Sequence, residues 1–294
     1  MNKIKSVVIP VAGMGTRFLP ATKVVPKEML AILDRPLLDY AVSEAIDAGI
    51  ENFIFVINKD NYFPRAYLQE NDKLEKYLIN KNKKTILKKI VKLKLSSQQI
   101  KTVVQSKPLG LGHAILMTQK FLAGQDFAVI LPDDLILGKN CLKELIDVYS
   151  KKNSSVLAVM EVERKNISKY GIIKPLEKGN KTIQISSLVE KPASNPPSNL
   201  GVVGRYILRN TIFSQLRKKK IGSGGEIQLT DAISSITKKE PVFAFRLSGN
   251  RYDCGSKKGF FQAQIACALR DKDLKIDIRK IFTNEFAKVK GFVK

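Results

Sequence analysis

The chain has 294 residues with 44% hydrophobic content, enough to bury a sizeable core as one large α/β domain or two modest ones, and no apolar run reaches membrane-spanning length. Cys141, Cys254, Cys267 and the single histidine have no metal-ligand spacing, and Met1-Asn2-Lys3 leads straight into a strand; free thiols and a cytoplasmic location are expected. The formal net charge of +24 fits nucleic acid, an anionic membrane surface or steering of an acidic substrate, but the lysines are scattered and lack interleaved aromatics, so the expectation is a solvated basic surface with neither a nucleic-acid nor a membrane partner.

In chain order, Val7, Val8, Ile9 and Val11 form a short apolar, β-branched run that suits a buried strand. Ala12-Gly13-Met14-Gly15-Thr16-Arg17 follows without helical period. Gly13 and Gly15 allow close backbone approach, so successive N–H groups can point at an anion, and Arg17 adds a fork of donors suited to phosphate. Taken alone, such a loop serves equally as a strand-ending turn. Lys23 and Lys27 come after Pro20 in a segment that the prolines, with Pro26, are expected to keep extended. A helix is expected from Pro36, at its first position, to Gly49, with Leu38, Ala41, Val42, Ala45 and Ile46 on one face.

Asn52 to Ile57 reads as a second buried strand. Ten lysines between Lys73 and Lys101 interrupt a helical pattern that includes Leu74, Leu78, Leu87 and Val91, which reads as an exposed basic helical hairpin, a candidate subunit contact. Lys101 to Gln105 is a strand, and Ser106 to Ala114 a second glycine loop before an amphipathic helix through Phe121. Phe127 to Leu131 is again a short apolar strand, ended by Pro132-Asp133-Asp134. The second half is less regular: strands at Val156 to Val162, Tyr170 to Ile173, Thr182 to Glu190, Gly201 to Leu208 and Pro241 to Leu247 are separated by turn residues, with Glu226 to Ile233 starting a helix and another helix from about Lys257.

This alternation predicts an α/β fold, Rossmann-like, with a mixed, mainly parallel sheet, helices on both faces and a smaller antiparallel part. No repeat or linker divides it, so a single domain is expected, with halves at about 1–135 and 136–270 and a tail over 271–294. Ligands of such sheets sit outside the carboxyl ends of the strands, from which the loops at Gly13, Gly110 and Asp133 all leave.

The G-x-G-T-R loop with P-K-E-M-L some ten residues on resembles the sugar-1-phosphate nucleotidyltransferases, most closely the bacterial UTP:glucose-1-phosphate uridylyltransferase family. The motifs GLGHA, ILPDD, VEKP, GEIQLTDAI and YDCG follow in that family's order, so the resemblance runs from Ser6 to about Ala266. Only the lysine-rich segment and the tail depart from it.

A glutamine amide matches the donor and acceptor edge of uracil, and the resemblance implies that Ala12, Gln105 and Gly110 contact that base. Asp133 and Asp253 each follow a strand and are open to two readings, as turn-capping carboxylates or as hard oxygen ligands for Mg²⁺; the family motifs imply the metal role, with Asp134 less clear. Glu190 and Lys191 could be an ordinary surface pair, but the resemblance places them with Tyr170, Gly171 and the Gly204 backbone in a hexose pocket. His113 reads as a helix-start residue and Cys254 as packing, because the attacking group is already an anionic phosphate. The function implied is transfer of UMP from Mg-UTP to α-D-glucose 1-phosphate, giving UDP-glucose and pyrophosphate. In it Arg17 and the Gly13 to Thr16 backbone, including Met14 and Gly15, hold the triphosphate. Lys27 and Lys191 bring the anions together, Asp133 and Asp253 hold Mg²⁺, and the enzyme is expected to be a homo-oligomer. A thymidylyltransferase on the same sugar phosphate is the alternative; a basic nucleic-acid-binding protein is the reading from a different class.

Overall fold

The computed structural model describes residues 3–289 apart from 60, 123, 178 and 180. Its strands are β1 (Ser6–Val11), β2 (Ala31–Ile32), β3 (Arg35–Pro36), β4 (Asn52–Ile57), β5 (Ile100–Val104), β6 (Phe127–Ile130) and β7 (Asp134–Leu137) in the first half. The second half adds β8 (Ser155–Glu161), β9 (Gly171–Pro175), β10 (Thr182–Glu190), β11 (Leu200–Leu208), β12 (Val242–Arg246) and β13 (Asn250–Asp253). The helices are α1 (Leu37–Asp47), α2 (Phe63–Leu68), α3 (Asp72–Asn80), α4 (Lys84–Val91), α5 (Leu111–Met117) and α6 (Gln119–Leu122). They continue as α7 (Cys141–Lys152), α8 (Phe213–Leu216), α9 (Leu229–Ile236), α10 (Lys257–Ala268) and α11 (Leu274–Val289).

Among the described residues one nine-stranded sheet runs in the order β5, β4, β1, β6, β11, β8, β12, β10, β9. β5, β4, β1 and β6 are parallel neighbours, which puts the loops after Val11, Val104 and Ile130 at one edge. β11 is antiparallel to both β6 and β8, β12 is parallel to β8, and β10 and β9 close the sheet antiparallel. The expected mixed sheet is therefore present, with its parallel part in the first half and the antiparallel pieces extending the same sheet.

Period-2 alternation explains the continuous apolar runs. Val7, Ile9, Phe53, Phe55, Ala128 and Ile130 pack on one face under α1 and α7, while Val8, Ile54, Val56, Phe127 and Val129 pack on the other under α5, α8 and α9. With both faces covered, neither set can be polar. Beside the main sheet, β7 and β13 form an antiparallel pair, packed with α10 around buried Leu135, Cys254, Ala263 and Cys267. All three cysteines are free and buried, as expected.

Several local expectations change. Residues 16–29 are not extended; they fold into short 3-10 turns over Thr16–Phe18, Ala21–Lys23 and Lys27–Met29, with Pro20 and Pro26 each standing just before a turn, where a missing N–H is harmless. Pro36 pairs in the β2–β3 ladder and caps α1 rather than starting it. The helix through Phe121 breaks at Thr118, whose hydroxyl donates to the Ile115 carbonyl and so competes with the helical ladder. The lysine-rich segment does form a hairpin, α3 packed on α4, with Tyr77, Ile79 and Ile86 exposed. No helix of the described residues is long and apolar enough to cross a membrane.

A buried cation fastens the centre. Arg205, on β11, is 2% exposed and its Nε lies 3.1 Å from both Glu44 carboxylate oxygens, while its Nη1 donates to the Leu131 carbonyl at 3.0 Å. Glu44 also accepts from the Leu142 N–H, so α1, α7 and β11 meet at one ion pair. Such a pair is strongly destabilising to break from one side, because the other charge is left buried alone.

Candidate active site

A cleft of about 1110 Å³ opens at the carboxyl edge of the parallel strands and runs across to β9, β10 and β11. Arg17, Asp133 and Asp253 line one part; Tyr170, Gly171, Glu190, Lys191 and Gly204 line the other. Eight residues singled out from sequence thus meet in one space although they come from loops up to 236 positions apart.

The first part is built on the turn after β13. The Asp253 Oδ1 accepts the Gly255 N–H at 3.0 Å, and the Cys254 N–H donates to the Asp133 carbonyl at 2.7 Å, which holds the two acidic turns side by side. A Cβ on Gly255 would lie 3.0 Å from Asp133 Oδ2 and 3.0 Å from Asp253 Oδ1. The glycine therefore leaves a gap between two carboxylates, and a hard cation completing its shell from phosphate and water fits such oxygen donors. Among the described residues no cluster of three or more metal-ligating side chains exists, so phosphate and water would have to supply the rest. Arg17 closes this corner, its Nη1 donating to the Gly255 carbonyl at 3.2 Å.

Lys27 Nζ donates to Asp133 Oδ2 at 2.7 Å. Burial works against the charge on Asp133, but the adjacent Lys27 ammonium outweighs it and holds the carboxyl below its ordinary range; the same pairing, against burial, raises Lys27. Both groups are thus charged near neutrality. Lys27 owes its place to buried Asn61, whose Nδ2 donates to the Val11 carbonyl at 3.0 Å and also to the Glu28 carboxylate, pinning the PKEML segment to the end of β1. Burial raises Glu28.

The glycine loop itself stands open. Gly13 has nothing within 4 Å of a Cβ position and Met14 is 69% exposed; neither these two nor Ala12, Gly15 and Thr16 line the cleft, which they flank through Arg17. Gly15 has φ +62°, and a Cβ there would press on Lys27 and Thr22, so glycine is required by the turn. Gln105 is buried at the end of β5, donating to the Gly110 carbonyl at 3.2 Å and sharing a 2.9 Å contact with His113 Nδ1. Gly110, at φ +95°, lies against Glu226, which does line the cleft.

The opposite wall follows from strand register. Gly171 pairs with Glu190 between β9 and β10, and the Lys191 N–H donates to the Tyr170 carbonyl at 3.0 Å, so both sequence pairs arrive together. Lys191 takes a positive φ of 43°, turning its ammonium to 3.3 Å from Glu190 Oε1. Thr230 at the start of α9 donates to Glu190 Oε2, and a Cβ on Gly171 would sit 2.7 Å from the Thr230 methyl. Gly204 lines this wall too, its N–H donating to Asp134 Oδ2 at 2.6 Å and its carbonyl accepting from Leu131 and Arg205.

Asp134 has both carboxylate oxygens engaged. It is buried, takes the Gly204 N–H on one oxygen and the Arg251 guanidinium on the other, and burial raises it despite that cation. Arg251, Thr230 and Asn61 escaped the sequence reading. Thr230 lies inside GEIQLTDAI, a motif of the resemblance that carries no single residue's role, and Arg251 immediately precedes YDCG.

A family model described as Nucleotidyl transferase matches residues 6–268. The chain is 40% identical over 277 residues to a UTP--glucose-1-phosphate uridylyltransferase of Bacillus subtilis, covering 94% of each chain. It superposes on a UTP-bound UGPase from Acinetobacter baumannii with a TM-score of 0.87 at 37% identity, covering 95% of this chain and 99% of that one. A UDP-glucose pyrophosphorylase complexed with UDP-glucose matches at TM-score 0.82 and 38% identity, over 91% of this chain and 100% of the other.

Proposed function

The chain belongs to the nucleotidyl transferase family, and from that premise we propose that it transfers UMP from UTP to α-D-glucose 1-phosphate, giving UDP-glucose and pyrophosphate. The observation that carries the reading is one cleft with two unlike ends. At one end Arg17 and Lys27 stand around a pair of carboxylates, which suits a triphosphate with its cation; at the other Glu190, Thr230, Tyr170 and Lys191 offer the hydroxyl and phosphate partners of a sugar phosphate.

Asp133 and Asp253 would hold a divalent cation, Mg²⁺, which when bound supplies charge neutralisation at the phosphates. Arg17 and the backbone of Gly13 to Thr16, with Met14 and Gly15, hold the triphosphate. Ala12, Gln105 and Gly110 receive the uracil. Lys191 binds the sugar phosphate, and Lys27 lies between the two anions. A phosphate oxygen of glucose 1-phosphate attacks the α-phosphorus, a new P–O bond forms, and the bond to the β-phosphate breaks with its electron pair leaving on pyrophosphate.

No protein nucleophile is needed. Cys254 is fully buried and burial pushes its thiol up to about 12, while the His113 Nδ1 is occupied by Gln105. The direct test is pyrophosphate release from UTP, dTTP, CTP and GTP, each with glucose 1-phosphate or another sugar 1-phosphate. The expected result is turnover with UTP and glucose 1-phosphate far above every other pair. Preference for dTTP would replace the reading with thymidylyl transfer, and salt-sensitive RNA binding without turnover would remove it.

A further inference from the structure

We propose that Arg251 is a positioning residue for this transfer: one guanidinium holds the Tyr170 hydroxyl on the sugar wall and sets a fixed positive charge beside the Asp253 carboxylate at the cation end. The inference rests on the uridylyl-transfer reading and concerns a residue that neither the sugar motifs nor the carboxylate motifs include.

Strand geometry sets the arrangement. β13 pairs antiparallel with β7, with Asp253 opposite Asp134 and Arg251 opposite Ile136. Residues two apart on a strand share a face, so Arg251, Asp253 and Asp134 project to the same side of the ladder. There the Arg251 Nε donates to Asp134 Oδ1 at 2.8 Å, with Nη2 on the same oxygen, and Nη1 donates to the Tyr170 hydroxyl at 2.7 Å. The guanidinium carbon also lies 5.2 Å from the Tyr170 ring centroid, and Nη2 lies 4.0 Å from Asp253 Oδ1.

Asp134 is the anchor of this group. Its second oxygen takes the Gly204 N–H at 2.6 Å, which fixes the guanidinium to the central strand β11. Arg251 therefore faces both ends of the cleft from the β7–β13 ladder, and its side chain is only 9% exposed. A planar fork with five donors hydrogen-bonds Asp134 and Tyr170 at once and stands as a charge 4.0 Å from Asp253 Oδ1; a lysine ammonium, a point charge on a flexible stem, cannot keep the Tyr170 and Asp134 contacts together at these distances.

The test uses the full chain with Arg251→Lys, Tyr170→Phe and the double variant, because Arg251→Met would strand the buried Asp134 charge and risk misfolding. The measured quantities are the KM for each substrate, kcat, the Mg²⁺ concentration for half-maximal rate, and the thermal midpoint. Arg251→Lys is expected to raise the KM for glucose 1-phosphate about tenfold, as the loss of a charge-assisted hydrogen-bond network does, with the KM for UTP within about twofold. It should also raise the half-activating Mg²⁺ concentration. Tyr170→Phe should raise the glucose 1-phosphate KM alone, and the double variant should be no worse on that constant than the worse single one, since one contact serves both. An Arg251→Lys enzyme with the parent's glucose 1-phosphate KM and Mg²⁺ requirement overturns the proposal, as do independent, multiplying effects in the double variant or a lowered midpoint with both constants unchanged. A parent without UDP-glucose synthesis would overturn the underlying reading and this proposal with it; an active parent beside an unaffected Arg251→Lys overturns this proposal alone.

Discussion

Lys191 and Asp253 serve opposite ends of the cleft, and their substitution should separate the two substrates. Lys191 is held at φ +43° by its N–H on Tyr170, and its half-exposed side chain lines the cleft beside Glu190. On the proposed function, Lys191→Ala removes a charge-assisted contact to phosphate, a loss of about 1.5 to 3 kcal/mol of binding. The expected outcome in steady-state kinetics is a KM for glucose 1-phosphate raised about tenfold or more, with UTP affinity by calorimetry nearly unchanged. Equal damage to UTP binding would move Lys191 out of the sugar end. Asp253→Asn keeps an oxygen able to accept the Gly255 N–H, so the turn should persist. It loses the anionic charge that a hard cation needs. Turnover should therefore vanish with EDTA, return with Mg²⁺ in the parent, and fail to return in the variant while its circular dichroism matches the parent; full Mg²⁺-dependent turnover in Asp253→Asn would place the cation elsewhere.

Whole elements set how near these residues stand. Helix α10 begins directly after the Asp253 turn: the Ser256 hydroxyl donates to the Asp253 carbonyl at 3.0 Å and accepts the Gly259 N–H at 3.2 Å. A Cβ on Gly259 would fall 2.1 Å from the Asp253 carbonyl oxygen, a contact that backbone must yield to. Gly259→Ala should improve intrinsic helix propensity by about 1 kcal/mol and yet impair the enzyme, because α10 must shift and take the Asp253 turn with it. The check is the Mg²⁺ concentration for half-maximal rate, which should rise severalfold; an unchanged value with a raised thermal midpoint would show that the turn does not depend on α10. At this scale the sequence was informative where a pattern is local. The β-branched runs gave the strands because both faces of the sheet are buried, and the lysine-rich hairpin was visible in its apolar period. The break at Thr118 and the ladder at Pro36 were not, since each depends on a hydrogen-bond partner that spacing does not reveal.

The first and second halves of the chain share the main sheet through the β6–β11 pairing, and further links cross between them beside the cleft. The Ile227 N–H donates to the Leu109 carbonyl and the Gly112 N–H to the Ile227 carbonyl, both at 2.8 Å, so the second glycine loop is paired with the segment that leads into α9. Arg17 on Gly255 and Asp134 on Gly204 make further crossings. The convergence of Arg17, Asp133, Tyr170, Glu190, Lys191 and Asp253 was legible from sequence because their loops leave strand ends or follow collinear motifs. The fork of Arg251 and the pin at Asn61 were not, because each joins segments distant in sequence and is determined only by packing. With both substrates placed in one cleft, the proposed function requires a single displacement without a covalent enzyme intermediate. The measurement that tests this most directly is the stereochemical course with UTP carrying a chiral α-thiophosphate of known configuration. Inversion at the α-phosphorus is the predicted result; net retention, with a labelled uridylyl-enzyme isolated in the absence of glucose 1-phosphate, would contradict it.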